Sequence, residues 1–459
     1  MILRPSLVAL GTGLVLATSV AAAPVRPPRP PGPAKPASSE PPIHYVVKRG
    51  DTLFDLGQAY LRKPSDYRRV QRANQISRPR VMPVGLTLRI DQDLLKTTPI
   101  AARLSAFSGR VQVETDGRLA PARIGLPIAE GQRLVTGPGA FATLEMEDAS
   151  RVTLPSNTSL RVVRLRSVVL TNAPQRVFKL DEGRGAISVT PNANPNSRFE
   201  VRTPVSISAV RGTQFRVGSQ NAADGRPAHA RTEVIEGAVS VGPGETPPTG
   251  APVLAGFGVS VTSSGVGAPT ALLPAPKLEE ASQNQSDKTV RFALRPVANA
   301  DAYRLQLSRD AGFVDLFAEM TVAEPIADFG EMADGTYFVR LTALDASGLE
   351  GLPADYSFDR DLDTLEPSTS PTAEVDGQRR NFLFRWFSGG DGVRVYRFQL
   401  FAGTEPTAAV VDMPGLSEPR LTLTDLPAGV YAWRISATRF KNGKVTEKVG
   451  PLQTLRIGT

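Results

Sequence analysis

Apolar and polar positions alternate over Tyr45 and Val47, then switch to helical spacing at Leu53, Leu56 and Tyr60. Between the two patterns lies a Gly50-Asp51 turn followed by Thr52, placed to cap a helix, with Asp55 three residues on as in a capping box. A second helical stripe, Tyr67, Val70 and Ala73, ends at Asn74. After Ile76, a Pro83-Val84-Gly85 turn leads into a closing strand, Leu86 to Ile90. Strand, helix, helix, strand within about fifty residues lies near the lower limit for a unit that folds alone. From Arg103 to Val266 the pattern becomes short alternating runs, among them Val111-Gln112-Val113, Ala142 to Met146 and Val152-Thr153-Leu154. Turn chemistry such as Asp116-Gly117 and Gly137-Pro138-Gly139 breaks them, and helical periodicity is nearly absent, so an all-β domain is predicted. Within it, Asn221 to Ala230 reads as a loop that carries His229.

The last third repeats itself. Tyr303 to Leu307 matches Tyr396 to Leu400 at an offset of 93 (396 − 303), and Gly335 to Leu341 matches Gly429 to Ile435 at 94 (429 − 335). Leu294 in the first copy stands where Trp386 stands in the second. Two such units, each with several short strands, suit a pair of β-sandwiches with Trp386 and Trp433 in the core. The predicted fold class is mainly β and multidomain: a small βααβ module, an all-β domain and two tandem β-sandwiches.

The 459 residues hold several cores, and 41% hydrophobic content is that of ordinary globular domains. Residues 1–23 read as a secretory signal: Arg4 precedes an apolar run from Leu7 to Val20 and a small-residue end, Ala21-Ala22-Ala23. Pro24 disfavours a cut just before it, which places the cut after Ala21 or Ala22; the rival reading keeps the segment as an anchor. No later stretch is apolar and long enough to span a bilayer, so no transmembrane span is expected after cleavage. Residues 24–42 form a Pro-rich tether, semi-extended and without the means of a core. The chain has no cysteine, so its stability must come from packing rather than disulfides. The net charge of +8 fits an anionic polymer as counterpart. Its arginines are scattered and not interleaved with aromatics, which argues against nucleic acid.

Catalysis finds no constellation. Without cysteine there is no thiol chemistry, and the two histidines, His44 and His229, cannot supply the ligand set of a zinc amidase. No Gly-x-Ser-x-Gly turn accompanies them for a triad. The acidic residues are spread over hairpins and turns, where solvation explains them, although counting alone leaves a paired-carboxylate hydrolase open. The expectation is no enzyme, no metal and no cofactor.

The stretch from Tyr45-x-Val-x-x-Gly-Asp-Thr-Leu through Asn74 to Pro83-x-Gly85 resembles the lysin motif, LysM. Asp91 departs from its usual Ile-Pro close. The resemblance implies binding of peptidoglycan or another N-acetylglucosamine-containing glycan in a shallow groove between two loops. It assigns Gly50, Asp51, Thr52, Leu53 and Phe54 to one side and Asn74, Gln75, Ile76 and Pro83 to the other. Several of these have structural explanations as well: Gly50 for a turn, Thr52 for a cap, Asn74 for a helix end, Phe54 for the core. The strings Phe107 to Val113, Gly131 to Gly137 and, above all, Ala209-Val210-Arg211-Gly212-Thr213-Gln214-Phe215 resemble the FecR domain. That family implies a periplasmic module of signal relay to a sigma factor. Arg211-Gly212-Thr213 is read as a partner site or, better, as a glycine allowing close backbone approach with an internally paired arginine. The C-terminal repeats resemble fibronectin type III modules.

The domains expected are a signal at 1–23, a tether at 24–42, a LysM-like module at 43–92, a FecR-like β domain at 103–266, a linker at 267–288 and repeats at 289–360 and 371–459. Together they describe an exported periplasmic or cell-envelope protein that binds peptidoglycan and presents its β-domains to envelope protein partners. A FecR-like periplasmic regulator is the alternative, and a peptidoglycan hydrolase or its accessory the lesser one. The modules are expected to share little core.

Overall fold

The computed structural model describes residues 42–221, 228–244, 248–368, 371–376 and 379–458. The expected signal at 1–23 and the tether up to residue 41 lie outside the described residues. The chain is mainly β and multidomain, with a βααβ module, an all-β domain and two tandem sandwiches. Among the described residues no helix is long and apolar enough to cross a membrane.

Strand β1 (Ile43–Val46) pairs antiparallel with β2 (Thr87–Ile90), and α1 (Leu53–Tyr60) and α2 (Tyr67–Ala73) run between them. Val47, Leu53, Leu56, Val70, Leu88 and Ile90 close its core. So small a module buries too little surface alone, and its core is completed from outside by Leu94, Leu95 and Val168. The segment after β2 is structured. Gln92–Leu94 makes a 3-10 turn, and Thr97–Pro99 pairs with the strand Thr158–Val168 of the middle domain. Between them Lys96 caps the end of α1, its ammonium donating to the carbonyls of Gln58 and Ala59 at 2.8 and 3.0 Å, where a cation suits the helix dipole. On the other edge, the His44 amide and the Asn196 side chain exchange two hydrogen bonds of 3.2 Å. The module is bolted to its neighbour rather than hung from it.

The middle domain is a closed barrel of two sheets around one core that includes Leu104, Leu144, Leu160, Phe178, Phe215 and Val234. The 16-residue strand Ala173–Ser188 belongs to both sheets. Its first part pairs with Thr158–Val168 and, in parallel, with Arg198–Arg202; its last part pairs with Arg151–Leu154 and Gln214–Gln220. Gly183 marks the changeover. Its φ of +94° is left-handed, and a Cβ there would lie 2.5 Å from Thr158 Oγ1. Gly212 is required for a similar reason: φ is +70°, and a Cβ would meet Pro191 at 2.8 Å. Beside it, Arg211 donates to the Pro195 carbonyl at 2.6 Å, an internal partner. His229 is corrected from loop to strand: it opens His229–Glu236, paired with Gln214–Gln220, and its Nε2 lies 2.8 Å from Arg231.

Each sandwich stacks two sheets over an aromatic core. Phe292 meets Phe358 edge-on at 5.0 Å in the first, and Trp433 packs against Phe384 and Phe398 in the second, with Trp386 also buried. The repeated Gly-x-Tyr has a common cause. Tyr337 and Tyr431 each bend back to a carbonyl four residues upstream, Ala333 at 3.2 Å and Pro427 at 3.0 Å. Their rings pass over Gly335 and Gly429, where a Cβ would come within 3.3 and 3.5 Å. Residues 267–288, expected as a linker, carry three two-residue strands: Thr270–Ala271 pairs with Phe257–Thr262, while Lys277–Leu278 and Asn284–Gln285 join the first sandwich.

The expectation of little shared core fails most clearly between the middle domain and the first sandwich. Phe141 of the former packs with Phe313 and Leu316 of the latter. Nearby, the buried carboxylate of Glu350 accepts from Arg184 at 2.8 Å, Arg216 at 3.0 Å, Arg304 at 2.9 Å and Thr342 at 2.9 Å. Burial alone would raise its pKa, but the guanidiniums of Arg216, Arg304 and Arg184 outweigh burial and hold it well below the usual carboxylate range. Glu233, which accepts from the Glu350 amide at 3.3 Å, goes the other way: burial pushes it up, and Arg216 only partly offsets this. The connector between the two sandwiches is held to the second, Arg439 gripping Asp361 at 2.6 Å and Arg394 gripping Asp363 at 3.0 Å, and Lys441 of the second reaches Asp334 of the first at 2.9 Å.

Candidate functional site

The turn after β1 is built by its own side chains. Gly50 takes φ +92°, which favours glycine. The Asp51 carboxylate accepts from the Lys48 amide at 2.7 Å and the Tyr45 hydroxyl at 2.8 Å. Burial and then that hydrogen bond push the Tyr45 phenol up to about 12. Thr52 is the N-cap of α1, accepting from the Asp55 amide at 3.1 Å and donating to the Asp55 carboxylate at 2.6 Å. Leu53, assigned to a sugar contact, is only 2% exposed and belongs to the module core. Phe54, assigned to the same side, is 50% exposed, its ring edge-on to Tyr67 at 5.9 Å.

On the other side, Asn74 ends α2 and is fully engaged. Its amide donates to the carbonyls of Val70 and Arg89, each at 2.8 Å, while its oxygen accepts from the Arg89 amide at 2.7 Å. Asn74 thereby ties α2 to β2. Gln75 is exposed at φ +53°, and Ile76 is half-buried. The Gln71 side chain donates to the Ile76 carbonyl at 3.0 Å and holds that loop closed. Pro83 is exposed, and its carbonyl accepts from Leu86 at 3.2 Å in the turn before β2.

The two loops meet directly, for the Leu53 amide donates to the Pro79 carbonyl at 2.8 Å. Gly50, Asp51, Thr52 and Asn74 build this arrangement; Phe54, Gln75, Ile76 and Pro83 present surface on it. A shallow depression of about 420 Å³ opens beside α2, lined by Arg68, Gln71, Arg72, Gln75 and Ile76. Pro79, Gln71 and the 73%-exposed Val81 are missing from the sequence-derived set. Of these, Pro79 carried a signal: a proline between two arginines just after the Ile76 turn.

Charge also concentrates here, which corrects the view of scattered arginines. Residues 43–92 hold ten Lys and Arg against four Asp, a net +6 (10 − 4) out of +8 for the chain, and all ten cations are exposed. A module of such charge attracts polyanions. Among the described residues, no group of three His, Asp or Glu is arranged to hold a metal.

The architecture is that of a modular β protein with a small helical module at its N-terminal side. More particularly, residues 45–91 match the LysM domain and residues 132–240 match the family described as FecR protein. Among solved structures, the chain is similar to a candidate anti-sigma factor from Parabacteroides distasonis, at 18% identity over 30% of this chain and a TM-score of 0.24. It spans 59% of that protein's length. It is also similar to a two-domain fibronectin type III segment of chicken tenascin, at 18% identity over 40% of this chain and 99% of that one, with a TM-score of 0.20. No curated protein matches.

Proposed function

We propose that this chain is an exported envelope protein that attaches to peptidoglycan through its LysM domain. Its FecR domain and sandwiches form a braced scaffold for protein partners. The observation that carries the reading is the LysM match on a module whose two loops are tied together and whose surface holds ten exposed cations. Gly50, Asp51, Thr52, Leu53 and Asn74 act by shaping the groove; Phe54, Gln75, Ile76 and Pro83, with Val81, meet the glycan. Backbone groups of the two loops bond the acetamido and hydroxyl groups, and the Phe54 ring offers an apolar face. Each hydrogen bond nets about 1 kcal/mol, so one module holds a short glycan weakly. On a polymeric wall, rebinding and attraction to stem-peptide carboxylates supply retention. The FecR match supports a role in protein contact, and the matched families are binding or regulatory modules rather than catalysts.

Sedimentation of the full chain with purified sacculi tests this. Phe54→Glu should reduce the pelleted fraction several-fold, and Arg78→Glu with Arg80→Glu should reduce it at low salt. The charge effect should vanish at about 1 M salt, where the screening length is about 3 Å. Val445→Glu, on an exposed position of the second sandwich, is the control. Equal pelleting of all variants, or none of the wild type, overturns the reading.

A further inference from the structure

A cleft of about 400 Å³ lies between the middle domain and the first sandwich, remote in sequence from the LysM loops. One wall is the outer face of a sheet. Alternation along its strands brings Arg184, Arg216, Arg231 and Ile235 to this face, while Phe215, Val217 and Val234 point into the barrel core. The opposite wall comes from the sandwich and includes Arg304, Val314, Leu316, Arg340 and Glu350.

Arg151 is the sixth arginine of the lining, against two carboxylates, Glu233 and Glu350. Six guanidiniums carry roughly thirty N–H donors, far more than those acceptors can take. Three of the six are committed: Arg340 to Asp355, Arg304 to Glu319 and Glu350, and Arg216 to Glu350 and two carbonyls. Arg184 gives one nitrogen to Glu350, and Arg231 gives one to His229. The Arg151 side chain has an ion contact of 3.9 Å with Glu145. Among the described residues, the Nε atoms of Arg151, Arg216 and Arg231 are buried without a hydrogen-bond partner. Buried donors left unmet are costly.

Arg184 and Arg231 flank one residue, Gly218, as its register partners on the two neighbouring strands. Because Gly218 has no side chain, the space between them is open: a Cβ there would meet only Arg184 Cγ, at 3.9 Å. Two like charges held across a gap repel, and an anion between them relieves the repulsion and fills the donors.

We propose that this cleft binds a small organic carboxylate, its head over Gly218 between Arg184 and Arg231 and its apolar body along Ile235, Val314 and Leu316. Both domains contribute wall, so the bound anion bridges them. Calorimetric titration of the full chain with 4-phenylbutyrate, and with its neutral amide, tests the assignment. The carboxylate should bind saturably and the amide at least about tenfold more weakly. Gly218→Val, which fills the head position and removes no charge, should abolish binding, as should Arg231→Gln; circular dichroism melts confirm that each variant is folded. Phe54→Glu should change nothing here. Absence of saturable binding, equal affinity for the amide, or binding unaffected by Gly218→Val overturns the proposal.

Discussion

Glu350→Ala isolates what the buried cluster contributes. The substitution leaves Arg184, Arg216 and Arg304 facing one another without the carboxylate that they share. Removing one partner from a buried ion cluster costs about 3–5 kcal/mol. Here the lower end applies, because each arginine has somewhere else to turn. Arg304 keeps Glu319 at 3.1 Å, Arg216 keeps the residue-350 carbonyl at 2.7 Å, and the Arg184 side chain is already 32% exposed. For a body of this size each kcal/mol shifts the midpoint by about 2–4 °C, so a loss of about 3 kcal/mol predicts a fall of about 6–12 °C. Differential scanning calorimetry reads this directly. Acid should reproduce it in the wild type. The folded pKa lies below the unfolded value of about 4.3, so this contribution is fully present above about pH 4.3 and is lost as pH falls towards the folded value. The variant should therefore lose less stability than the wild type between pH 5 and pH 3, a window set by about 4.3. A midpoint within about 2 °C of wild type, less than 1 kcal/mol on the same scale, would falsify the view that Glu350 locks the domains.

Glu233→Gln should act oppositely. Its folded pKa is raised, so ionisation costs stability as pH rises above the unfolded value, and the amide should raise the melting temperature at pH 7 with little effect at pH 4. Gly212→Ala forces a left-handed φ on alanine and drives its Cβ into Pro191, and a loss of about 2 kcal/mol or more in urea unfolding is expected. Asn74→Ala removes three hydrogen bonds, two of them joining α2 to β2 and one closing the end of α2, at a cost of about 2 kcal/mol. Hydrogen exchange should show the loss as faster exchange confined to residues 67–90. Ending the chain at Leu273 should destabilise the remainder, because Gly258 packs on Leu349 and the Leu273 carbonyl accepts from Leu352; a remainder that melts at the wild-type temperature would refute this.

What could be read from the sequence was local. The Thr52 cap with Asp55 three residues on and the glycine turn at Gly50 each need only a few consecutive residues, and each is found where the pattern put it. Glu350 shows the limit. In Leu349-Glu350-Gly351 it looks like a solvated turn carboxylate, and partners up to 166 residues away bury it. Leu53 lies in the core, as its place on the Leu53, Leu56 and Tyr60 stripe implies, and its neighbour Phe54, about 100° further round the helix, is half exposed. His229 was hidden by the Gly-Arg-Pro run that precedes it. The charge of the LysM module was available by counting, but only once its boundaries were used to count.

The bolted junction at Lys96 and His44 turns a point of attachment into a direction. A module on a slack leash would tumble on its own nanosecond timescale and leave its cargo free to face anywhere. One held by a strand pairing, a capped helix end and a shared core must instead rotate with the barrel beside it. Whatever its loops meet, the angle at which the rest of the chain stands off is already chosen.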